Sequence, residues 1–93
     1  MVANPQCLFT VTHTFMLPNH GIALMPGIAP KGEERFRVGD FVELRRPDRS
    51  ILQVKITGIE MLSPVPADRS FPIVIKEIKR KDDVPIGTEV WSI

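Results

Sequence analysis

The stretch from Phe41 to Leu62, FVELRRPDRSILQVKITGIEML, constrains the fold more than any other part of the chain. Val42 and Leu44 alternate with Glu43 and Arg45. Leu52, Val54 and Ile56 alternate with Gln53, Lys55 and Thr57. An extended chain sends successive side chains to opposite faces, so this period of two is the pattern of half-buried antiparallel strands. Between the arms stands Arg46-Pro47-Asp48-Arg49-Ser50. Proline presets the backbone angle for the second position of a type I turn, and Asp and Ser can bond nearby amides. The stretch reads as one long β-hairpin.

The same alternation appears elsewhere. Cys7 to Leu17 reads as a first strand, with Cys7, Phe9, Val11, His13, Phe15 and Leu17 on the core face. Its even positions carry three threonines, which suit a solvated strand face. Pro18-Asn19-His20-Gly21 is a turn, because Asn and Gly tolerate positive φ. Ile22 to Met25 follows as a short strand that ends, or lies at a sheet edge, at Pro26-Gly27, since proline cannot donate to a ladder. Positions 28–38 read as an irregular charged loop, and Ser63 to Ser70 as a second, proline-stiffened one. Val38-Gly39-Asp40 turns the chain into the hairpin. Phe71 to Ile78 is a further strand. Lys79 to Val84 makes a 3₁₀ turn or tight loop, and Thr88 to Ile93 closes the chain.

Nine prolines in 93 residues argue against long helices. Short strands punctuated by turns predict an all-β protein of one domain spanning residues 1–93. The expected architecture is a small closed six- to seven-stranded antiparallel barrel of Greek-key type, because closure removes exposed edges. The net charge of +1 supplies no global field to drive the chain onto nucleic acid or lipid. No apolar run is long enough to span a bilayer, and the N-terminus lacks a basic segment followed by an apolar one. The single cysteine, Cys7, excludes an internal disulfide. These features point to a cytoplasmic protein with no membrane partner.

Four segments resemble, in order and spacing, the second domain of the translational GTPases, the elongation factor Tu domain 2-like family. They are Phe15-Met16-Leu17 with the Gly21 turn, Phe36 to Asp40 leading into Val42-Glu43-Leu44, Val54 to Met61, and Ile78 to Gly87. The resemblance covers residues from about Leu8 to Val90 and implies a stand-alone β-barrel. The glycine-rich phosphate loop of a GTPase domain is absent from the sequence. In that family a pocket at the barrel holds the aminoacyl end of transfer RNA. An acidic pair precedes the phenylalanine that matches Phe15. Thr12 and His13 stand in those places here, so the resemblance implies a pocket at Thr12, His13 and Phe15. It also implies RNA or a ribosome-associated protein as partner, and no DNA.

The candidate chemistry is sparse. Cys7 and His13 are six residues apart, about 20 Å along a strand, and cannot share an ion. Glu33-Glu34 and Asp82-Asp83 are adjacent pairs that diverge in extended chain, so neither is a ready acid–base couple. No activated nucleophile, base or metal set stands out, so the expectation is a non-enzyme without cofactor. Two basic groups remain as candidate phosphate or partner contacts: Arg45, Arg46 and Arg49 at the hairpin tip, and Lys76, Lys79, Arg80 and Lys81 near the other end. Glu43, Asp48, Glu77, Asp82 and Asp83 dilute both. Base stacking wants aromatics among the cations, but the chain has no Tyr, one Trp and five Phe. The sequence therefore predicts a non-catalytic binding module that contacts RNA or a translation component. The alternative is a protein-interaction domain that docks through an exposed strand edge or the 28–38 loop.

Overall fold

The structure, a computed structural model, describes residues 5–29, 37–60, 70–78 and 80–93. Among these residues there are eight strands: β1 Cys7–Thr10, β2 His13–Leu17, β3 Gly21–Ile28, β4 Phe41–Arg45, β5 Ile51–Lys55, β6 Gly58–Ile59, β7 Phe71–Ile75 and β8 Glu89–Ser92. One 3₁₀ turn, Lys81–Asp83, lies between β7 and β8, where the sequence predicts it. The strands form two four-stranded sheets, ordered β1-β8-β4-β5 and β2-β3-β7-β6. Every ladder is antiparallel.

The all-β class stands, but the closed six- to seven-stranded barrel is corrected. The ladders end at β1 and β5 in one sheet and at β2 and β6 in the other, so no ladder runs round to meet itself. The physical reason lies in two bends. The expected long strand from Cys7 to Leu17 breaks at Val11-Thr12. The Val11 amide donates to the Thr88 carbonyl beside the first sheet, and the next amide, Thr12, donates to Met25 in the second. The second arm of the hairpin breaks likewise at Ile56-Thr57: Ile56 donates to Asp40 and Thr57 to Val74. At each bend the chain leaves one sheet and enters the other, as strands do at the corners of crossed-sheet packings.

The first bend also resets the side-chain parity. Phe9 and Val11 are buried as expected, but His13 and Phe15, past the bend, are exposed; so is Cys7, where the β1–β8 register shifts between Cys7 and Phe9. In β3 the strand does not stop at Pro26. It continues to Ile28 with a shift of register against β7 between Leu24 and Ile28. The missing proline amide falls within that irregularity. Gly27 has φ +104, and a Cβ there would overlap the Phe71 backbone. The glycine therefore lets β7 approach β3 closely.

The inner faces of the sheets meet in one core. Ile22, Leu24, Ile28, Ile73 and Ile75 come from the second sheet, and Val42, Leu44, Val54 and Val90 from the first. Val11 and Ile56, at the two bends, are fully buried between them. Ile78 and Val84 complete the cluster. Each buried Ile or Leu contributes about 1.5–3 kcal/mol relative to exposure, so the core accounts for the preference for this pairing.

Candidate functional site

The hairpin between β4 and β5 positions most of the candidate cations. The Arg49 amide donates to the Arg46 carbonyl, and the Arg46 amide donates to the Ser50 carbonyl. This is a type I turn followed by one left-handed residue, a common three-residue hairpin loop. Asp48 accepts from both the amide and the hydroxyl of Ser50, which closes the turn. Those bonds hold the Asp48 carboxyl below its ordinary value, the hydroxyl being the larger cause and the amide the next. The left-handed place, usually glycine, is taken by Arg49 at φ 73. Its side chain is exposed and makes no bond to any described residue.

The other cations are committed differently. Arg45 lies on the solvent face of the first sheet, 2.6 Å from Glu43, with its guanidinium 3.9 Å from the centre of the Trp91 ring. Arg46 donates from Nε to the Asp83 carbonyl at 2.7 Å and from Nη1 to the Ser50 hydroxyl at 3.3 Å. That bond crosses 37 residues and brings the hairpin tip against the 3₁₀ turn. Arg80 and Lys81 are exposed there, with Arg80 at 4.0 Å from Asp82. The structure thus joins Arg46 to the segment that holds Arg80 and Lys81, and turns Arg45 away onto the sheet face. Lys79 lies outside the described residues, as do positions 30–36 of the expected 28–38 loop, 61–62 at the end of the expected hairpin and 63–69 of the proline-stiffened loop.

Thr12, His13 and Phe15 lie at and just after the first bend. Thr12 Oγ1 donates to the Met25 carbonyl at 3.4 Å, and His13 Nδ1 is 3.3 Å from the same hydroxyl. All three side chains are exposed, Phe15 by 52%. Among the described residues no group of three or more His, Cys, Asp and Glu is placed to hold a metal ion. No helix among them is long and apolar enough to cross a membrane.

The sequence points to an exposed strand edge but not to the strand that provides it. β5 is an edge strand of the first sheet. The bonds at Arg46–Ser50 and Asp40–Ile56 fix the phase of its ladder with β4. Bonded pairs alternate with unbonded ones, so Leu52 and Val54 face β4, while Ile51, Gln53 and Lys55 turn their amides and carbonyls outward. The Lys55 amide is already taken: Glu77 accepts it at 2.9 Å. The outward amides of Ile51 and Gln53 have no partner among the described residues. Ile51 is 58% exposed and Leu52 37% exposed, so apolar side chains flank this open backbone on both faces. The pair Ile51-Leu52, two apolar residues directly after a turn, is the signal in the sequence that marks this strand.

No family model, no curated protein and no solved structure matches the chain. The resemblance to the elongation factor Tu domain 2-like family is therefore withdrawn. The two separate sheets do not provide the closed barrel it implied, and the translation-related role loses the ground it stood on.

Proposed function

We propose that this chain is a non-catalytic protein-interaction module that takes an extended segment of a partner along the open edge of β5. The observation that carries the reading is the outward backbone of Ile51 and Gln53, bounded at the far end by Glu77 on the Lys55 amide. Such an edge offers a ladder to an incoming strand, and backbone bonds supply affinity while neighbouring side chains supply choice. Native proteins guard their edges with charge, proline or cover. Here Lys55 and Glu77 guard one end, and the end near the hairpin carries Ile51 and Leu52 instead. RNA is the weaker reading, because Arg45 is engaged by Glu43 and Trp91 and the net charge is only +1.

The test is capture from native cytoplasm at low and moderate salt, with and without ribonuclease, by the wild-type chain and by Q53P. Proline at Gln53 removes an outward amide and leaves the inward pairs with β4 in place. A protein held through salt and ribonuclease by the wild type, and released by Q53P, is the expected result. Capture that Q53P leaves intact, or that ribonuclease abolishes, overturns the reading. I51K, which places a charge on the same edge without touching the backbone, repeats the test should Q53P fold poorly.

A further inference from the structure

Resting on that reading, we propose that the segment docked on β5 is acidic at the end that meets the hairpin tip, with Arg49 as the contact residue. Arg49 holds the one position of the loop where a side chain is unfavourable, at φ 73. A left-handed backbone costs a non-glycine residue stability, and glycine is the usual occupant. What the position gains from arginine is an exposed guanidinium two residues before Ile51, the first residue of the open edge.

The neighbouring charges leave that guanidinium available. Asp48 turns its Oδ1 onto Ser50 rather than onto Arg49. Arg46 is held by a carbonyl and a hydroxyl, and its charge acts on the Asp48 carboxylate, so Asp48 is answered by Arg46 and not by Arg49. Arg49 is therefore the cation of the tip with no ion-pair partner among the described residues, beside the place where an incoming strand would enter or leave. Leu52 and Ile51 ask for apolar side chains on the segment itself. An extended apolar stretch bounded by a carboxylate matches both features, and a planar fork of donors suits a carboxylate. A basic segment would meet like charge at the tip and is disfavoured.

The test uses the full chain labelled with nitrogen-15 and two capped peptides, Asp-Thr-Val-Thr-Val-Asp and Asn-Thr-Val-Thr-Val-Asn. Each carries its end residue twice, so either strand direction presents it to the tip. Amide shifts at Ile51 and Gln53 read docking on the edge. The expected result is shifts at both amides, with the acidic peptide favoured about two- to fivefold by the wild type. R49G should abolish that preference, and glycine suits the backbone angle, so the variant keeps its fold. Edge shifts with equal affinities, or a preference that survives R49G, overturn the acidic specificity and leave the edge reading standing. Shifts confined to other residues, or none, overturn the edge reading and this inference with it.

Discussion

The guanidinium of Arg45 lies 3.9 Å from the centre of the Trp91 ring, on the solvent face of the first sheet. Glu43 holds the same guanidinium from the side, and Glu89 accepts from the indole nitrogen at 3.0 Å. Four residues of β4 and β8 are thus joined in one surface network. Trp91 is a partly buried platform for Arg45. A second pair of the same kind stands beside it, with the Lys55 ammonium 5.4 Å from the Phe41 ring.

Removing Arg45 should therefore lower stability and change the only indole signal the chain has. R45A is expected to cost about 0.5–1 kcal/mol, since the site is partly solvated. The Trp91 emission maximum should shift to the red as its ring gains water. Chemical denaturation followed by tryptophan fluorescence checks both at once. An unchanged spectrum and midpoint would show the pair to be energetically idle.

Gly27 faces the backbone of Phe71, and a methyl group has no room there. G27A should be destabilised by about 3 kcal/mol or more, because the clash adds to the cost of positive φ. The thermal midpoint, read by circular dichroism, reports it. A loss below about 1 kcal/mol would mean that β3 and β7 part easily.

R49G should move the other way. Relief of the left-handed strain is worth about 1–2 kcal/mol, and the greater freedom of glycine in the unfolded chain returns part of it. A net gain of about 0.5–1 kcal/mol is expected, or a rise of about 3–6 °C in Tm. R49A, which keeps a Cβ, should gain nothing. Calorimetry on the pair separates backbone strain from the loss of charge.

Asp48 sets part of the acid limb of stability. Its folded carboxyl titrates below the ordinary value of 3.8, owing first to the Ser50 hydroxyl and then to the Ser50 amide. Folding thus favours the carboxylate. The contribution is complete above that ordinary value and disappears as the pH falls through the lower folded one. D48N should be less stable than the wild type near neutrality and converge on it as the pH falls through the lowered folded value. Denaturation midpoints across that range test the sign.

The Cys7 thiol is raised above its ordinary value, by burial first and by the Glu89 carboxylate second. Despite its exposure it should react slowly with a thiol reagent at neutral pH, because the thiolate is the nucleophile. E89Q removes the negative charge and keeps the acceptor for Trp91. It should speed labelling about two- to threefold at pH 8. Equal rates would remove Glu89 from the account.

Local alternation revealed what local forces decide. Val42, Leu44, Val54 and Ile56 are buried as their spacing predicts, and the Pro47-Asp48 turn sits where its chemistry places it. Phe15 follows the same parity and is exposed. The bend at Val11-Thr12 intervenes, and its cause is a pair of carbonyls at Thr88 and Met25, far away in sequence. Leu52 and Val54 share an inward parity and the same edge strand, yet Leu52, nearer the hairpin tip, is 37% exposed and Val54 is buried. The candidate site was legible in fragments. The cations of the tip could be named from their sequence, but the bond from Arg46 to Asp83 could not, nor the plug that Glu77 sets on Lys55. Both are tertiary contacts between segments whose own patterns give no sign of each other.

Neighbouring amides at each bend answer to different sheets, Val11 and Ile56 to one, Thr12 and Thr57 to the other. Neither layer can peel away without tearing the residue next to its own last bond. The two sheets are therefore coupled in melting, and the amides of these four residues should exchange with solvent through one shared opening rather than two. A partner that adds a strand to β5 would then steady the far sheet as well as the near one, through Ile56 and Thr57.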